Sequence, residues 1–214
     1  MGLSALPDDA PDEAGRASAP ARLHVVHDLG GGLARWVRDY CQADEAGVNL
    51  ILIPFSSSHA MGEGLVLHAG KTMEPLAFWR FSTPIQATAE THPEYRRVIE
   101  AIVRDYGVGA VLVSSLIGHA LDSLDTGLPT VIVNHDYYPF CPAIQIYFGG
   151  VCEHCDSNRL AECAANNPDF NPPHRVFPVA ERIRVRERYL ELVESNAIAL
   201  VVPSRSAREH LERL

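Results

Sequence analysis

The chain has 214 residues, of which 47% are apolar, enough to fill the core of one generous α/β domain or two small ones. Eighteen Lys and Arg against 27 Asp and Glu leave a formal net charge of −9, which excludes the overall basic footprint of a nucleic-acid binder. No uninterrupted apolar run reaches the length a membrane helix needs, and the N-terminus lacks the basic start and apolar centre of a signal peptide, so a cytoplasmic location is expected.

Met1 to Ala21 hold six Ala, three Pro and four acidic residues against one Arg, with no apolar period to bury; a disordered arm is expected. From Arg22 onward, short apolar runs alternate with amphipathic stretches, the pattern of βαβ units and a mostly parallel sheet. Leu23 to His27 reads as a first strand, followed by Gly30-Gly31-Gly32 and a helix whose stripe runs through Leu33, Trp36, Val37, Tyr40 and Cys41. Val48 to Pro54 suits a strand covered on both faces, and Gly64 to His68 and Leu76 to Phe81 read as further strands.

A helix is expected from Pro93 to Tyr106, ending near Gly107, with Val98, Ile99, Ile102 and Val103 inward. Ala110 to Val113 and Thr130 to Val133 are buried-type strands, with a short helix and turn between them. The stretch Pro139 to Pro173 is a long insertion carrying cysteines and expected to have little secondary structure of its own. Pro178 to Ser195 reads as a helix, Ala197 to Val202 as a strand, and Ser204 as the N-cap of a final helix. The sum is a Rossmann-like, doubly wound sheet with helices on both faces, whose ligand site belongs at the carboxyl ends of the strands.

Three constellations carry chemistry. Asp28-Leu29-Gly30-Gly31-Gly32 joins the first strand to the first helix, where bare backbone N–H groups and the helix dipole suit a phosphate or diphosphate; a plain tight turn is the structural alternative. The spacing matches neither G-x-G-x-x-G nor G-x-x-x-x-G-K-[ST]. Asn134-His135-Asp136-Tyr137-Tyr138 begins where a strand ends, so His135 can exchange protons or hydrogen bonds near neutral pH, unless it is only a turn residue steadied by Asp136. His24, His27 and His119 are further candidates for that edge, and the sequence does not rank the four.

The third is Cys141, Cys152, Cys155 and Cys163, four of the five cysteines, with a C-x-x-C step inside. A closed tetrahedral zinc site, free thiols, a disulfide or a partial site all fit these irregular outer spacings. Arg182, Arg184, Arg186 and Arg188 are offset by Glu181, Glu187, Glu191 and Glu194 on the same helix and read as a solvated face.

Together HVVHDLGGGLARWVRDY, VNHDYYPFCPAIQIYFGGVCEHC and ALVVPSRSAREHL resemble the N-terminal, acceptor-side half of family-4, GT-B-fold retaining glycosyltransferases, over about Arg22 to Leu214. The resemblance implies one Rossmann-like domain of a two-domain enzyme that transfers a sugar from a nucleotide-diphosphate sugar to a glycan or lipid-linked acceptor, in polysaccharide or glycoconjugate synthesis. It places Gly30, Gly31 and Gly32 against the donor diphosphate and His135 at the transferred sugar or acceptor hydroxyl. Asp136, Tyr137 and His119 become acceptor-side contacts.

The family's C-terminal donor-binding domain, with its Glu-x7-Glu segment, is expected as a partner missing from this chain, which alone is then inactive. Transfer in that family needs no metal, so a zinc at the cysteines would be structural. Location at the inner face of a membrane, through peripheral association, is part of the same expectation. A non-catalytic module binding a carbohydrate or a protein through its cysteine-held loop is the alternative. A nicotinamide-binding domain is disfavoured by the glycine spacing.

Overall fold

The computed structural model describes residues 19–27, 29–57, 62–169, 178–196 and 198–213. Most of the proposed N-terminal arm, Asp28 of the glycine loop and the last residues of the cysteine insertion lie outside them. Among the described residues seven strands form one sheet: β1 (Ala21–Val25), β2 (Asn49–Phe55), β3 (Gly64–Ala69), β4 (Pro75–Arg80), β6 (Val108–Val113), β8 (Thr130–Val133) and β9 (Ile198–Val201). Their order is β4-β3-β2-β1-β6-β8-β9. Every pairing from β2 through β1, β6 and β8 to β9 is parallel, whereas β2 with β3 and β3 with β4 are antiparallel. The sheet is therefore mostly parallel, with an antiparallel meander where a further crossover would have been needed.

The strands bury both faces by simple alternation. Leu23 and Val25 of β1, with Leu50 and Leu52 of β2, join a large core under α2 (Pro93–Asp105) and α4 (Val179–Ser195), whereas Val26 and Ile51 pack under α1 (Gly31–Ala43). From α1 the residues facing the sheet are Leu33, Val37 and Cys41, four apart, one stripe of the helix. From α2 they are Tyr95, Val98, Ile99 and Ile102. Each such side chain contributes on the order of 1.5–3 kcal/mol relative to exposure, so the two faces together hold the fold.

Helix ends follow their local chemistry. His92 caps α2, its Nδ1 accepting from the Tyr95 N–H at 3.1 Å, with Pro93 in the first turn, and Gly107 at φ +62° follows its end. Ser204 caps α5 (Arg205–Leu211) by accepting from the Ala207 N–H at 3.1 Å. Between β6 and β8 lie β7 (His119–Ala120), paired with β5 (Thr88–Ala89), and a 3-10 turn over Leu121–Leu124.

Two expectations are corrected. The cysteine insertion contains a regular element, α3 (Ser157–Asn166), capped by Asp156, whose Oδ1 accepts from the Arg159 N–H at 2.8 Å. The arginines of α4 are not a uniformly solvated stripe: Arg182 and Arg186, one turn apart, are 7% and 8% exposed. Among the described residues no helix is long and apolar enough to cross a membrane.

Candidate functional site

The carboxyl ends of β1, β6, β8 and β9 open on one edge of the sheet. The chain order reverses about β1, whose neighbours β2 and β6 are reached in opposite directions, and that is where an open α/β sheet leaves a crevice. Past β1 come Val26, His27 and the glycine loop. Past β6 come Ser114 and Ser115, whose N–H groups both donate to Val25 O, at 2.9 and 3.3 Å. Past β8 come Asn134, His135 and Asp136, and Asn134 N–H donates to Val201 O at 2.8 Å, tying this turn to the end of β9.

Gly30 and Gly31 have φ of +74° and +80°, a left-handed backbone that favours glycine. A Cβ at Gly30, Gly31 or Gly32 would meet nothing within 4 Å, so the loop faces open space. Among the described residues no side chain caps α1, and its first turn carries no acidic residue. The first-turn N–H groups and positive dipole end of a thirteen-residue helix thus lie beside the glycine loop with no side-chain partner among the described residues, an arrangement able to receive an anion.

His135 is half-buried. Its backbone N–H donates to Val133 O at 3.0 Å, and its ring meets Trp36 of α1 edge-on with centroids 5.0 Å apart, which joins the β8 turn to the helix behind the glycine loop. Nε2 is shielded from solvent and has no partner among the described residues. Burial, then the nearby His27, holds its pKa below the ordinary value, so the ring is neutral at pH 7. Asp136 is half-buried and its Oδ1 accepts from the Tyr138 N–H at 2.7 Å; burial raises its pKa. Tyr137 lies against His210 of α5, ring centroids 6.5 Å apart.

Of the other histidines, His27 stays at the edge, its Nδ1 accepting from the Leu29 N–H at 3.1 Å. His24 is fully buried in β1, with Nε2 2.8 Å from Asn49 Oδ1 in a cluster continued by Asp44 and Arg22. His119 is also fully buried: Nδ1 is 3.0 Å from the Tyr95 hydroxyl and Nε2 is 2.8 Å from Val26 O. Burial brings its pKa down to about 4, so the neutral ring donates from Nε2 and supports the strand before the glycine loop from beneath.

Sequence reasoning passed over two features here. Ser114 directly follows β6 and has a buried Oγ with no partner among the described residues; its position after an apolar run was the available signal. A cavity of about 460 Å³ opens between the Thr83–His92 segment and the start of α4, with Thr83, Gln86, Glu90, His92, Glu181 and Arg184 in its wall. It adjoins the sheet edge through Thr88, whose hydroxyl donates to Leu116 O at 2.6 Å and accepts from the Tyr138 hydroxyl at 2.6 Å.

The four clustered cysteines come together elsewhere, around one small cavity in the insertion, all as free thiols. Cys41 sits apart, buried in α1. Comparison with known protein families, with curated proteins and with solved structures gives no match for this chain.

Proposed function

We propose that this chain is the acceptor-side domain of a family-4, GT-B-fold retaining glycosyltransferase, working with a donor-binding second domain at the cytoplasmic face of a membrane. The observation that carries the reading is the meeting at one sheet edge of a bare glycine loop opening a helix and a histidine–aspartate turn from another strand.

In this reading the α1 N–H groups at Gly30 to Gly32 hold the donor diphosphate and stabilise its charge as it leaves, a task that needs preorganised donors and no metal. His135 is kept neutral by its surroundings, which suits it to hydrogen-bond a sugar hydroxyl through Nε2. Asp136 and Tyr137 line the acceptor side, and His119 braces the loop from below. The wide cavity beside Thr88, walled by Thr, Gln, Glu, His and Arg side chains, suits the many hydroxyls of a glycan acceptor.

A non-catalytic carbohydrate-binding module is the second reading, favoured by the shielded Nε2 of His135. Joined to its donor-binding domain, the protein should turn over a nucleotide-diphosphate sugar with a glycan or lipid-linked acceptor, and His135→Ala should lower turnover about 10²-fold or more while acceptor binding persists. Acceptor binding without turnover in either protein supports the binding module. Near-normal turnover by the variant removes the role given to His135.

A further inference from the structure

The insertion after β8 is poorly equipped to hold itself together. Its own buried apolar residues are few: Ala143 and Cys163, with Cys141, Phe148 and Ala164 packed around them, and Ile146 and Leu160. So small a cluster does not offset the conformational entropy of ordering a segment this long, and small units of this kind depend on a cross-link. Cys141, Cys152, Cys155 and Cys163 are free thiols that line one cavity of about 20 Å³, space for a single water or ion. The rest of its wall is largely apolar, with Pro142, Ala143, Ile146 and Leu160, together with the cationic Arg159, and no carboxylate or imidazole among the lining residues competes for a ligand position.

The polar groups around the sulfurs supply the second observation. Asn167, 2% exposed, donates from Nδ2 to Cys163 Sγ at 3.2 Å and to Tyr147 O at 2.8 Å. Arg186, 8% exposed, donates to Cys155 twice, from Nη2 to Sγ at 3.4 Å and from Nη1 to the carbonyl at 2.7 Å, with its guanidinium 4.8 Å from the centre of the Phe140 ring. Among the described residues no carboxylate pairs with Arg186. A backbone carbonyl, an aromatic ring and a neutral thiol offset the burial of a guanidinium only in part. Four thiolates around a divalent ion carry a net double negative charge, which completes the offset.

We propose that Cys141, Cys152, Cys155 and Cys163 bind one Zn²⁺ as a closed structural site, with Arg186 and Asn167 donating hydrogen bonds to the ligand sulfurs. Each thiol gives up its proton to solvent as its sulfur coordinates, and no oxidation state changes. As placed, no three such side chains among the described residues stand together as a ligand shell, so the sulfurs draw in around the cavity when the ion enters. Four protein ligands leave no open position, hence a structural role that does not depend on the glycosyltransferase reading.

The test is Co²⁺ and Zn²⁺ titration of the reduced chain. One ion per chain is expected, with the visible bands of tetrahedral Co²⁺ and the near-ultraviolet intensity of four thiolates, bleached by one equivalent of Zn²⁺. Cys155→Ser and Cys163→Ser should each lose the four-thiolate spectrum, Cys41→Ser should keep it, and Arg186→Gln should weaken binding about 10-fold with the same spectrum. If the serine variants fail to fold, the wild-type spectrum and stoichiometry still decide. Four reactive thiols with no Co²⁺ spectrum, a disulfide among them, or an iron–sulfur chromophore in the isolated protein would overturn the proposal.

Discussion

At the level of single residues, the four histidines that shared one predicted edge separate by burial into two kinds. His135 and His27 stay at the edge, whereas His24 and His119 are struts inside the sheet. Their spacing gives no hint of this, because what decides it is the partner: Asn49 for His24, and Tyr95 with the Val26 carbonyl for His119, the latter 93 residues away along the chain. The consequence is a pH dependence of known sign. At pH 7 the His24 and His119 rings are mainly neutral in both folded and unfolded protein. Below about 6.5 the unfolded chain takes up a proton at His119 that the folded protein refuses until about pH 4. Within that window each pH unit removes up to ~1.4 kcal/mol of stability at this residue, and His24, also held low by burial, acts in the same direction. The urea midpoint should therefore fall steadily from pH 6.5 to 4.5. In His119→Gln it should start lower at pH 7 and fall less steeply; parallel slopes for the two proteins would show that His119 is not the group responsible.

Among the elements, α2 was the most legible, because its start and stop are written locally in His92, Pro93 and Gly107 and its stripe has a clean period. The antiparallel turn of β3 and β4 was not, since strand direction leaves no mark on local composition. The helix α3 was hidden by the irregular chain around it, although Asp156 before Ser157 is a sound cap. Likewise the arginines of α4 look solvated by count, and only packing shows that Arg182 and Arg186 turn inward while Arg184 faces out to Glu90. What fixes α2 against the 3-10 turn is equally invisible in the sequence. Asp122, 5% exposed, accepts from the His92 N–H at 2.8 Å, the Thr91 hydroxyl at 3.1 Å and Arg96 Nε at 2.7 Å. Asp122→Ala orphans a buried N–H and breaks the pair to Arg96, so it should cost about 2–3 kcal/mol, a fall of roughly 5–10 °C in melting temperature. Asp122→Asn keeps acceptor capacity and should cost less than half as much. Equal losses would mean that packing volume, not hydrogen bonding, holds this junction.

For the molecule as a whole, the parallel arrangement was readable from the alternation of apolar runs with amphipathic stretches, but the distribution of stability across the sheet was not. β1 is hydrogen-bonded on both sides, to β2 and β6, and Leu23 and Val25 are fully buried. Among the described residues β9 pairs with β8 alone, Leu200 and Val201 are 50% and 46% exposed, and α5 after it buries no residue. Local opening needs only the contacts of the opening part to be lost, so an edge strand and a helix with so little buried surface open far more cheaply than the centre. Amide hydrogen exchange should accordingly rank β1, β2 and β6 as most protected, opening only with global unfolding, and β9 with α5 as exchanging several orders of magnitude faster. The turn at Asn134 to Asp136 hangs between these regimes, held to the end of β9 by the Asn134–Val201 bond. If β9 and α5 instead exchange as slowly as β1, the stability of this end has a source other than its own buried surface. If they exchange quickly, the His135 side of the candidate site rests on the most labile part of the sheet while the glycine loop rests on the firmest, and closing the site is a matter of ordering the former against the latter.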